Sequence, residues 1–473
     1  MQAKVSSRRW DLIVALATAG LSVVIGMASI VQPAIAWLLV AGAVGVVLLQ
    51  APSYIWACVA VVAVVFSRLL VAWGIAPGFV NFLHFPFALG AGFLAAVAPS
   101  RRPSRALNRL GFGIVGLGII TVISWIANGG EFLRPVLVWL LFAEPFLIIY
   151  AIARTAPPKK SALLASLAMG LALVQVPFAF WQASTLGLGD PVQGTLIEHG
   201  AGAHVAGAIA LLGIIALASR SLAKTGITSV KFLPMMILLF AVPVLADAKQ
   251  SIIAFIPSVG VLLLGYGRPR LRGLLTALGV GSIIVAAGIL YKPLRMATDL
   301  DLVLAGLGGK VLSYEIVAER MLESPFGLVG GLGPGNSVSR AALAAQEGYV
   351  RSLPGGWVDL QLSPTTAEIL SSTAGFYLFA SSSVWSGVSS WLGLFGDLGL
   401  AGVAVYLWML WWVWRGLSGV VNSWAHTAKA ALVMGVVLGA IFSWLETPEF
   451  TLPWALYIAT GLVATRHENL PGP

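Results

Sequence analysis

With 59% hydrophobic and only 10% charged residues among 473, and a mean hydropathy of +0.93, the chain is far too apolar for an ordinary soluble protein. Its net charge of +10 would suggest nucleic acid as a partner of a soluble protein, but the basic residues are distributed between apolar blocks rather than gathered in one patch. The single cysteine, Cys58, excludes a disulfide framework and a cysteine-based metal site.

Apolar blocks long enough to cross a membrane recur from one end of the sequence to the other. A helical span needs about twenty mostly apolar residues, and by this measure the chain is an all-α polytopic membrane protein of about fourteen spans. The first block follows Lys4, Arg8 and Arg9 and is interpreted as a retained signal anchor, because no small-residue cleavage site stands out after it. The predicted spans are 11–31, 35–51, 54–74, 79–98, 112–128, 132–153, 162–182, 204–219, 231–247, 250–267, 273–291, 388–413, 428–446 and 452–466.

The positions of Lys and Arg predict the orientation of these spans. Cytoplasmic loops are enriched in Lys and Arg, and nineteen of the 28 basic residues fall in the N-terminal segment, in alternate loops or after the last span. Both termini are therefore expected in the cytoplasm. Most acidic residues fall on the other side, where nine basic residues are exceptions: Arg68, Arg134, Lys249 and six in one long loop. These exceptions direct the search for a functional site to the extracytoplasmic side.

Two extracytoplasmic loops are long enough to carry a site, one at about 183–203 and one at about 292–387. The longer loop divides the chain into three parts. Residues 1–291 hold the first eleven predicted spans, the loop itself forms a small domain, and residues 388–473 hold the last three spans and a cytoplasmic C-terminus.

The long loop contains signals of its own secondary structure. Apolar spacing over Lys310–Glu323 predicts an amphipathic helix. The glycine-rich segment Gly327–Asn336 predicts a chain reversal, since it lacks the Lys-Ser/Thr that follows a phosphate-binding loop. A second helical stretch is predicted near 337–350.

Ionisable residues near membrane depth are costly and therefore tend to be functional. Lys249 lies in a short turn between two predicted spans, next to Asp247, where its charge is close to the extracytoplasmic interface and makes it a candidate functional residue. An ordinary turn with a lysine reaching into the interface is the alternative, at equal weight. Asp397 lies inside a predicted span, where a buried carboxylate needs a partner such as an extracytoplasmic lysine or else becomes neutral.

Three further cations are candidates for binding an anionic head group. Lys310 and Arg320 lie on the predicted amphipathic helix, where a cationic pair at the membrane surface suits a diphosphate. A solvated helix face with the Glu315 to Glu319 spacing and local ion pairs is the alternative interpretation. Arg134 could join the same patch, although simple interfacial positioning is favoured for it.

The shorter loop carries the candidates for acid–base chemistry. Glu198, His199 and His204 lie within seven residues at the start of a predicted span, where a histidine or Glu198 could accept a proton from a sugar hydroxyl. A polar loop without chemistry is the commoner case. No metal site is expected, because only two histidines are close in sequence and the HExxH spacing is absent.

Four segments in order resemble the O-antigen ligase and polymerase family of membrane glycosyltransferases. They are Gly194–Leu212, Asp247–Phe255, Gly309–Asn336 and Ser389–Gly402, which are similar to the family's segment opening a span, its Ser-Arg-Gly turn, its Gly-Arg-x-x-x-Trp stretch with Pro-x-x-Gly-x-Gly, and its closing segment. The sequence departs from the family pattern in two ways. Lysine replaces the usual arginine at Lys249 and Lys310, and the histidine expected near Val388 and Ser389 is absent.

The resemblance implies a GT-C-like enzyme of the bacterial inner membrane that joins undecaprenyl-diphosphate-linked glycans on the extracytoplasmic face, as a polymerase more than a ligase. Lys249, Lys310, Arg320 and Arg134 would hold the diphosphate as it leaves. His204, His199 or Glu198 would be the base, and neither a metal nor a cofactor is implied. The implied partners are a lipid-linked glycan donor, a glycan or lipid acceptor and other polysaccharide-assembly proteins.

A lipid-linked oligosaccharide flippase or another transporter is the alternative function, because about fourteen spans also suit such folds. The sequence favours the enzyme over a transporter. Transporters usually have two matching halves with broken helices near the midplane, whereas this chain concentrates its polar residues in one asymmetric loop.

Overall fold

A computed structural model describes residues 51–98, 104–197, 199–225, 230–266, 300–343, 362–380, 388–418 and 422–468. All regular secondary structure within these residues is helical. The α-helices are α1 (Ser53–Ala72), α2 (His84–Val97), α3 (Arg105–Asn128), α4 (Leu133–Thr155), α5 (Ser161–Leu173), α6 (Gln175–Leu186), α7 (Gly202–Thr225), α8 (Leu233–Leu245), α9 (Lys249–Gly265), α10 (Leu300–Leu322), α11 (Gly327–Gly330), α12 (Arg340–Leu343), α13 (Pro364–Ala380), α14 (Ser390–Gly416), α15 (Ser423–Ile441) and α16 (Pro448–Glu468).

Eight helical segments of the described chain are long and apolar enough to cross a membrane. They also expose large apolar side chains, such as Phe93 at 68% and Ile126 at 71%, which is what lipid-facing helices do and what soluble helices avoid. The described residues are therefore confirmed to be all-helical, with eight candidate membrane spans. The eight segments are Ser53–Ala72, Gly78–Val97, Arg105–Asn128, Leu133–Thr155, Pro158–Leu186, Gly202–Ala223, Ser390–Gly416 and Ser423–Ile441.

The total of about fourteen spans is not confirmed. Two predicted spans correspond to α8 and α9, which are apolar but shorter than the eight candidates. The last predicted span corresponds to α16, which is helical but is not among the eight. The predicted spans at 11–31 and 273–291 lie outside the described residues, as does the predicted span at 35–51 except for its last residue.

The last helix, α16, lies in the middle of the bundle. Its residues from Phe450 to Leu462 are almost all buried, and it packs against α1, α4, α5, α7 and α15. Because α16 is enclosed by other helices, a polar residue at either of its ends lies on the axis of the bundle, shielded from lipid. The first turn of α16 contains Glu449.

The two ends of the bundle differ in charge. We call one end the basic end. There the Arg466 guanidinium donates to the carbonyl of Ala153, and the Ser219 hydroxyl donates to the carbonyl of Ser423 at 2.5 Å. The positive-inside rule predicts that this end faces the cytoplasm. The opposite end, which we call the acidic end, carries Glu446 between α15 and α16.

The long loop is more helical than the sequence predicts and is not a separate layer. Helix α10 begins at Leu300, ten residues before the predicted start, and α13 was not predicted. The helix predicted near 337–350 is described only as the short α12, with 344–350 outside the described residues. Helices α10 and α11 pack against α14, a membrane span, so the loop is part of the same packed structure.

The predicted glycine-rich reversal is anchored on Asp397. The Asp397 carboxylate accepts the backbone N–H of Gly335 at 2.9 Å and that of Ser337 at 3.0 Å, and it also accepts the Ser337 hydroxyl at 2.6 Å. The lysine partner expected for Asp397 is therefore replaced by backbone and hydroxyl donors. Sequence analysis points to charged side chains as partners of a buried carboxylate, because every residue except proline has a backbone N–H and the sequence does not show which of them donates.

Two glycines allow the reversal to approach α14 this closely. Gly399 interrupts α14 with φ 64°, and a Cβ added there would meet the carbonyl oxygen of Val329. Gly331 lies opposite with φ 81°, where a Cβ would meet the Asp397 backbone. Ser124 of α3 joins the two segments, since its hydroxyl bonds the carbonyls of Gly330 and Asp397 at 2.6 and 3.0 Å.

Gly399→Ala is expected to destabilise the protein by about 3 kcal/mol or more, because it adds both backbone strain and a steric clash. The matched control is Gly116→Ala in α3, where an added Cβ meets only Val405, at 3.9 Å. There the change should be below about 1 kcal/mol. Thermal unfolding of both variants in one detergent measures the difference, and equal midpoints would refute the close approach.

Candidate functional site

A cluster of ionisable side chains lies at the acidic end of α16. The Glu449 Oε1 atom accepts a hydrogen bond from Arg68 Nε at 3.0 Å and lies 3.4 Å from His199 Nε2. The guanidinium of Arg340 lies 3.4 Å from the same histidine nitrogen, and the backbone N–H of Arg340 donates to Glu446 Oε2 at 2.6 Å. We call these five residues the Glu449 cluster.

The position of Glu449 follows from the start of its helix. Pro448 begins α16 and Glu449 follows it, which suits both residues, because proline needs no N–H partner there and a carboxylate is stabilised near a helix N-terminus. Glu449 is 6% exposed. Its Oε2 atom is buried and has no hydrogen-bond partner, so one carboxylate oxygen keeps an unused acceptor capacity, which is rare for a buried polar atom.

His199 is presented by a loop that two glutamines hold in place. Gln175 and Gln182 are buried on one face of α6. Gln182 Oε1 accepts the backbone N–H groups of Gln193 and Gly194 at 2.8 and 2.7 Å. Gln175 Oε1 accepts the backbone N–H of Thr195 at 3.0 Å. The loop thus enters the bundle with its backbone groups paired, which a buried loop requires.

The hydrogen bonds of His199 define its tautomer. The backbone N–H of Ala201 donates to His199 Nδ1 at 3.0 Å, so Nδ1 is the unprotonated acceptor and the neutral ring carries its proton on Nε2. That Nε2–H points toward the Glu449 carboxylate. Burial lowers the pKa of His199, which keeps the ring neutral. In this state His199 donates a hydrogen bond to Glu449 and offers no basic nitrogen there.

Glu446 is fixed on a short turn between α15 and α16. The Ser390 hydroxyl accepts the backbone N–H of Leu445 at 2.9 Å. The indole N–H of Trp444 donates to Gln250 Oε1 at 2.7 Å, and the Trp444 ring packs edge-on against Phe450 with centroids 5.1 Å apart. These contacts fix the position of the turn, and Glu446 on it accepts the backbone N–H of Arg340 from the long loop.

The two carboxyl groups of the cluster are in opposite electrostatic environments. Glu446 lies on the turn after α15, which ends at Ile441, and Glu449 lies in the first turn of α16. Burial raises the pKa of Glu446 well above its usual range, which favours the neutral form of that group. Burial alone would also raise the pKa of Glu449, but His199 and Arg68 outweigh it and hold the pKa well below its usual range. Carboxyl groups whose pKa values are displaced in opposite directions are typical of sites that divide acid and base roles.

Among the other candidates, Lys249 and His204 belong to a neighbouring polar group. Lys249 Nζ forms an ion pair with Asp247 at 2.8 Å, across a turn in which Asp247 has φ 49°. His204 is buried, and its Nδ1 atom has no hydrogen-bond partner. Its backbone carbonyl accepts the Ser251 hydroxyl at 2.8 Å, which ties the starts of α7 and α9 together.

Lys310 reaches the end of a membrane helix. Its ammonium donates to the carbonyl of Ile441 at 2.6 Å and to that of Val388 at 3.2 Å. Ile441 ends α15, so the charge lies where unpaired carbonyls and the helix dipole favour a cation. Burial lowers the pKa of Lys310 to about 8. The lysine thus joins the long loop to α15.

The two candidate arginines make different contacts. Arg320 is 42% exposed and forms ion pairs with Glu323 at 3.0 Å and Glu368 at 2.8 Å. This arrangement matches the solvated helix face with local ion pairs, which was the alternative to diphosphate binding. Arg134 is buried, and its guanidinium donates to the carbonyl of Gly335 at 3.0 Å and to Asn336 Oδ1 at 2.8 Å. It therefore holds the glycine-rich reversal against α4.

Four members of the Glu449 cluster were missed as site residues by the sequence analysis: Arg68, Arg340, Glu446 and Glu449. Both arginines were among the nine basic residues on the unexpected side, and both carboxylates were among the acidic residues of the same side. The distribution of charges therefore indicated which side of the protein carries the site, but it did not indicate which residues contact each other. Glu198 lies outside the described residues, and the described part of the chain contains no group of three potential metal ligands.

Comparisons with known proteins assign the chain to no group. No protein-family model matches it, and no curated protein matches it either.

His199 is expected to stay neutral, with its proton on Nε2, from pH 8 down to pH 6.5. Burial lowers its pKa, so protonation of the ring requires more acid than an exposed histidine does. Nitrogen-15 spectra of histidine-labelled protein report the tautomer and its titration. His199→Gln identifies the signal among the five histidines. A His199 signal that titrates at or above pH 6.5 would contradict the assignment.

Proposed function

We propose that the protein is a membrane glycosyltransferase that transfers a glycan from a polyprenyl-diphosphate carrier to an acceptor hydroxyl at the extracytoplasmic face. The observation that carries this proposal is the Glu449 carboxylate, which is buried on the bundle axis with one oxygen unpartnered and with Arg68 and Arg340 nearby. A base and two cations in a water-poor setting are what this transfer needs.

In the proposed reaction, an acceptor hydroxyl oxygen forms a bond to the anomeric carbon of the donor. The bond between that carbon and the diphosphate oxygen breaks, and its electron pair leaves with the lipid diphosphate. The hydroxyl proton goes to Glu449 Oε2. The diphosphate is a good leaving group, so a carboxylate of low pKa is a sufficient base when it is correctly positioned.

We assign the other cluster residues to positioning and to charge. Arg68 and His199 both contact Glu449 Oε1, whereas Glu449 Oε2 has no hydrogen-bond partner. Arg340 is proposed to bind the diphosphate, because a planar guanidinium matches paired phosphate oxygens better than an ammonium does. Lysines stand at the positions where the resembled family usually has arginine, and Arg340 offers a guanidinium from another position in the long loop.

Polymerisation is proposed over ligation. The ligase-type histidine before the closing segment is absent from the sequence, where Val388 and Ser389 stand. Ser389 has a local role there, since its hydroxyl caps α14 by accepting the backbone N–H of Leu392 at 3.2 Å. The acceptor is therefore proposed to be a second lipid-linked glycan at the inner membrane.

Transport is the second candidate, and one buried pair favours it. His84 Nδ1 lies 2.6 Å from Glu144 Oε1, both inside candidate spans, and buried His and Glu pairs within membranes are common in proton relays. Purified protein in liposomes with a fluorescent lipid-diphosphate glycan separates the two functions. Longer glycan on gels supports the enzyme, whereas movement of the label across the bilayer without new bonds supports the transporter.

Glu449→Gln is expected to lower the rate of glycan extension by about 10²–10⁴-fold, because an amide cannot accept the proton. The substitution keeps size and leaves Arg68 a carbonyl to bond. Gel analysis of product length over time measures the rate. The matched control is Glu368→Gln, which alters an exposed carboxylate of the long loop and should keep full activity. Equal rates for both variants would remove Glu449 from the mechanism.

Arg340→Ala is expected to lower turnover by about 10²–10³-fold through loss of charge stabilisation on the leaving group. The comparison with Arg320→Ala decides between the two arginines of the long loop, since Arg320 already has two carboxylate partners. Lys249→Ala and Lys310→Ala test the sequence-based assignment in the same assay. If these lysine variants lose turnover while Arg340→Ala keeps it, the diphosphate is bound by the lysines instead.

A further inference from the structure

An apolar groove runs between α14 and α15 toward the basic end of the bundle. Its volume is about 800 Å³, within the range of about 300–1,000 Å³ usual for ligand pockets. The groove lies far along α14 from Ser390, where that helix meets the turn that carries Glu446. Its walls include Trp408, Trp411, Trp414, Leu432, Val433 and Val436.

Two cations flank this groove through its tryptophans. The Lys429 ammonium lies 5.5 Å from the centre of the Trp414 ring, and the Arg415 guanidinium lies 5.5 Å from the centre of the Trp411 ring. Trp411 and Trp414 are three residues apart on α14, so they share one helix face. Both cations therefore border the same opening, with aromatic faces that stabilise them in part.

Lys429 needs an anion that the described protein does not provide. It lies in the second turn of α15, which begins at Ser423, and at the start of the predicted span 428–446, where an uncompensated ammonium near the membrane is costly. Among the described residues, no carboxylate lies within ion-pair distance of Lys429 or Arg415. Phosphates of lipid head groups are abundant anions at the membrane surface, and lysine side chains extend toward that surface.

We propose that this groove is a binding site for an anionic phospholipid of the leaflet at the basic end, with an acyl chain along the tryptophan wall and the head group between Lys429 and Arg415. Basic pockets between membrane helices on the cytoplasmic side bind such head groups. The groove opens at the end opposite to the Glu449 cluster, so its occupant is a structural lipid rather than the donor of the proposed reaction. The site stands independently of that function.

Native mass spectrometry of the full chain with dioleoyl phosphatidylglycerol or dioleoyl phosphatidylcholine tests the proposal. Each cation near an anionic surface contributes enough to change binding about fivefold, so the pair should favour phosphatidylglycerol by about thirtyfold. Lys429→Gln with Arg415→Gln should abolish this preference. The control is Arg220→Gln, which removes an exposed arginine at the basic end of α7 that is not part of the groove.

A second variant tests the acyl-chain part while both cations remain. Val433→Trp fills the groove and should weaken phosphatidylglycerol binding at least tenfold, whereas simple attraction between charges would be unaffected. Circular dichroism and thermal unfolding verify that each variant folds. Equal binding of the two lipids by the wild-type chain, or an unchanged preference in the double variant, would overturn the proposal.

Discussion

The arrangement of the acidic end depends on the cost of burying one ionised carboxylate. Glu449 is shielded on the bundle axis, where an unpaired charge would be costly, and the contacts of Arg68 and His199 offset that cost. Each partner needs support of its own. The glutamines of α6 hold the His199 loop, and Glu446 receives the Arg340 backbone. A single electrostatic requirement therefore organises one helix end and two loops.

The long loop and the membrane helices depend on each other in the same way. Asp397 lies within α14 and has its carboxylate satisfied by the backbone of the glycine-rich reversal, while that reversal is buried only because Asp397 and Arg134 pair its polar groups. Lys310 adds a third link, to the carbonyl that ends α15. The loop is thus a packed component of the bundle, and the cluster forms where loop and bundle meet.

Sequence patterns predict most of the spans and the face that carries the charges, because hydrophobic length and Lys/Arg asymmetry are local signals. They do not predict the contacts of the site. The pair Arg68 and Glu449 is separated by 381 residues, and no spacing rule connects such positions. Lys249 and Lys310 were chosen from the same charge signal, but the structure gives one an adjacent aspartate and the other helix carbonyls. Glu446 carried no local signal beyond its side of the membrane.

The distance in sequence between Arg68 and Glu449 also has a consequence for biosynthesis. Ribosomes add about 5–20 residues per second, so the 381 residues between them take roughly 20–80 seconds to make. During this interval α1 carries a guanidinium near the membrane surface before its carboxylate exists. The bundle is therefore completed only after the last described helix has been made. That helix packs among the earlier helices and neutralises a charge made 381 residues before its own carboxylate.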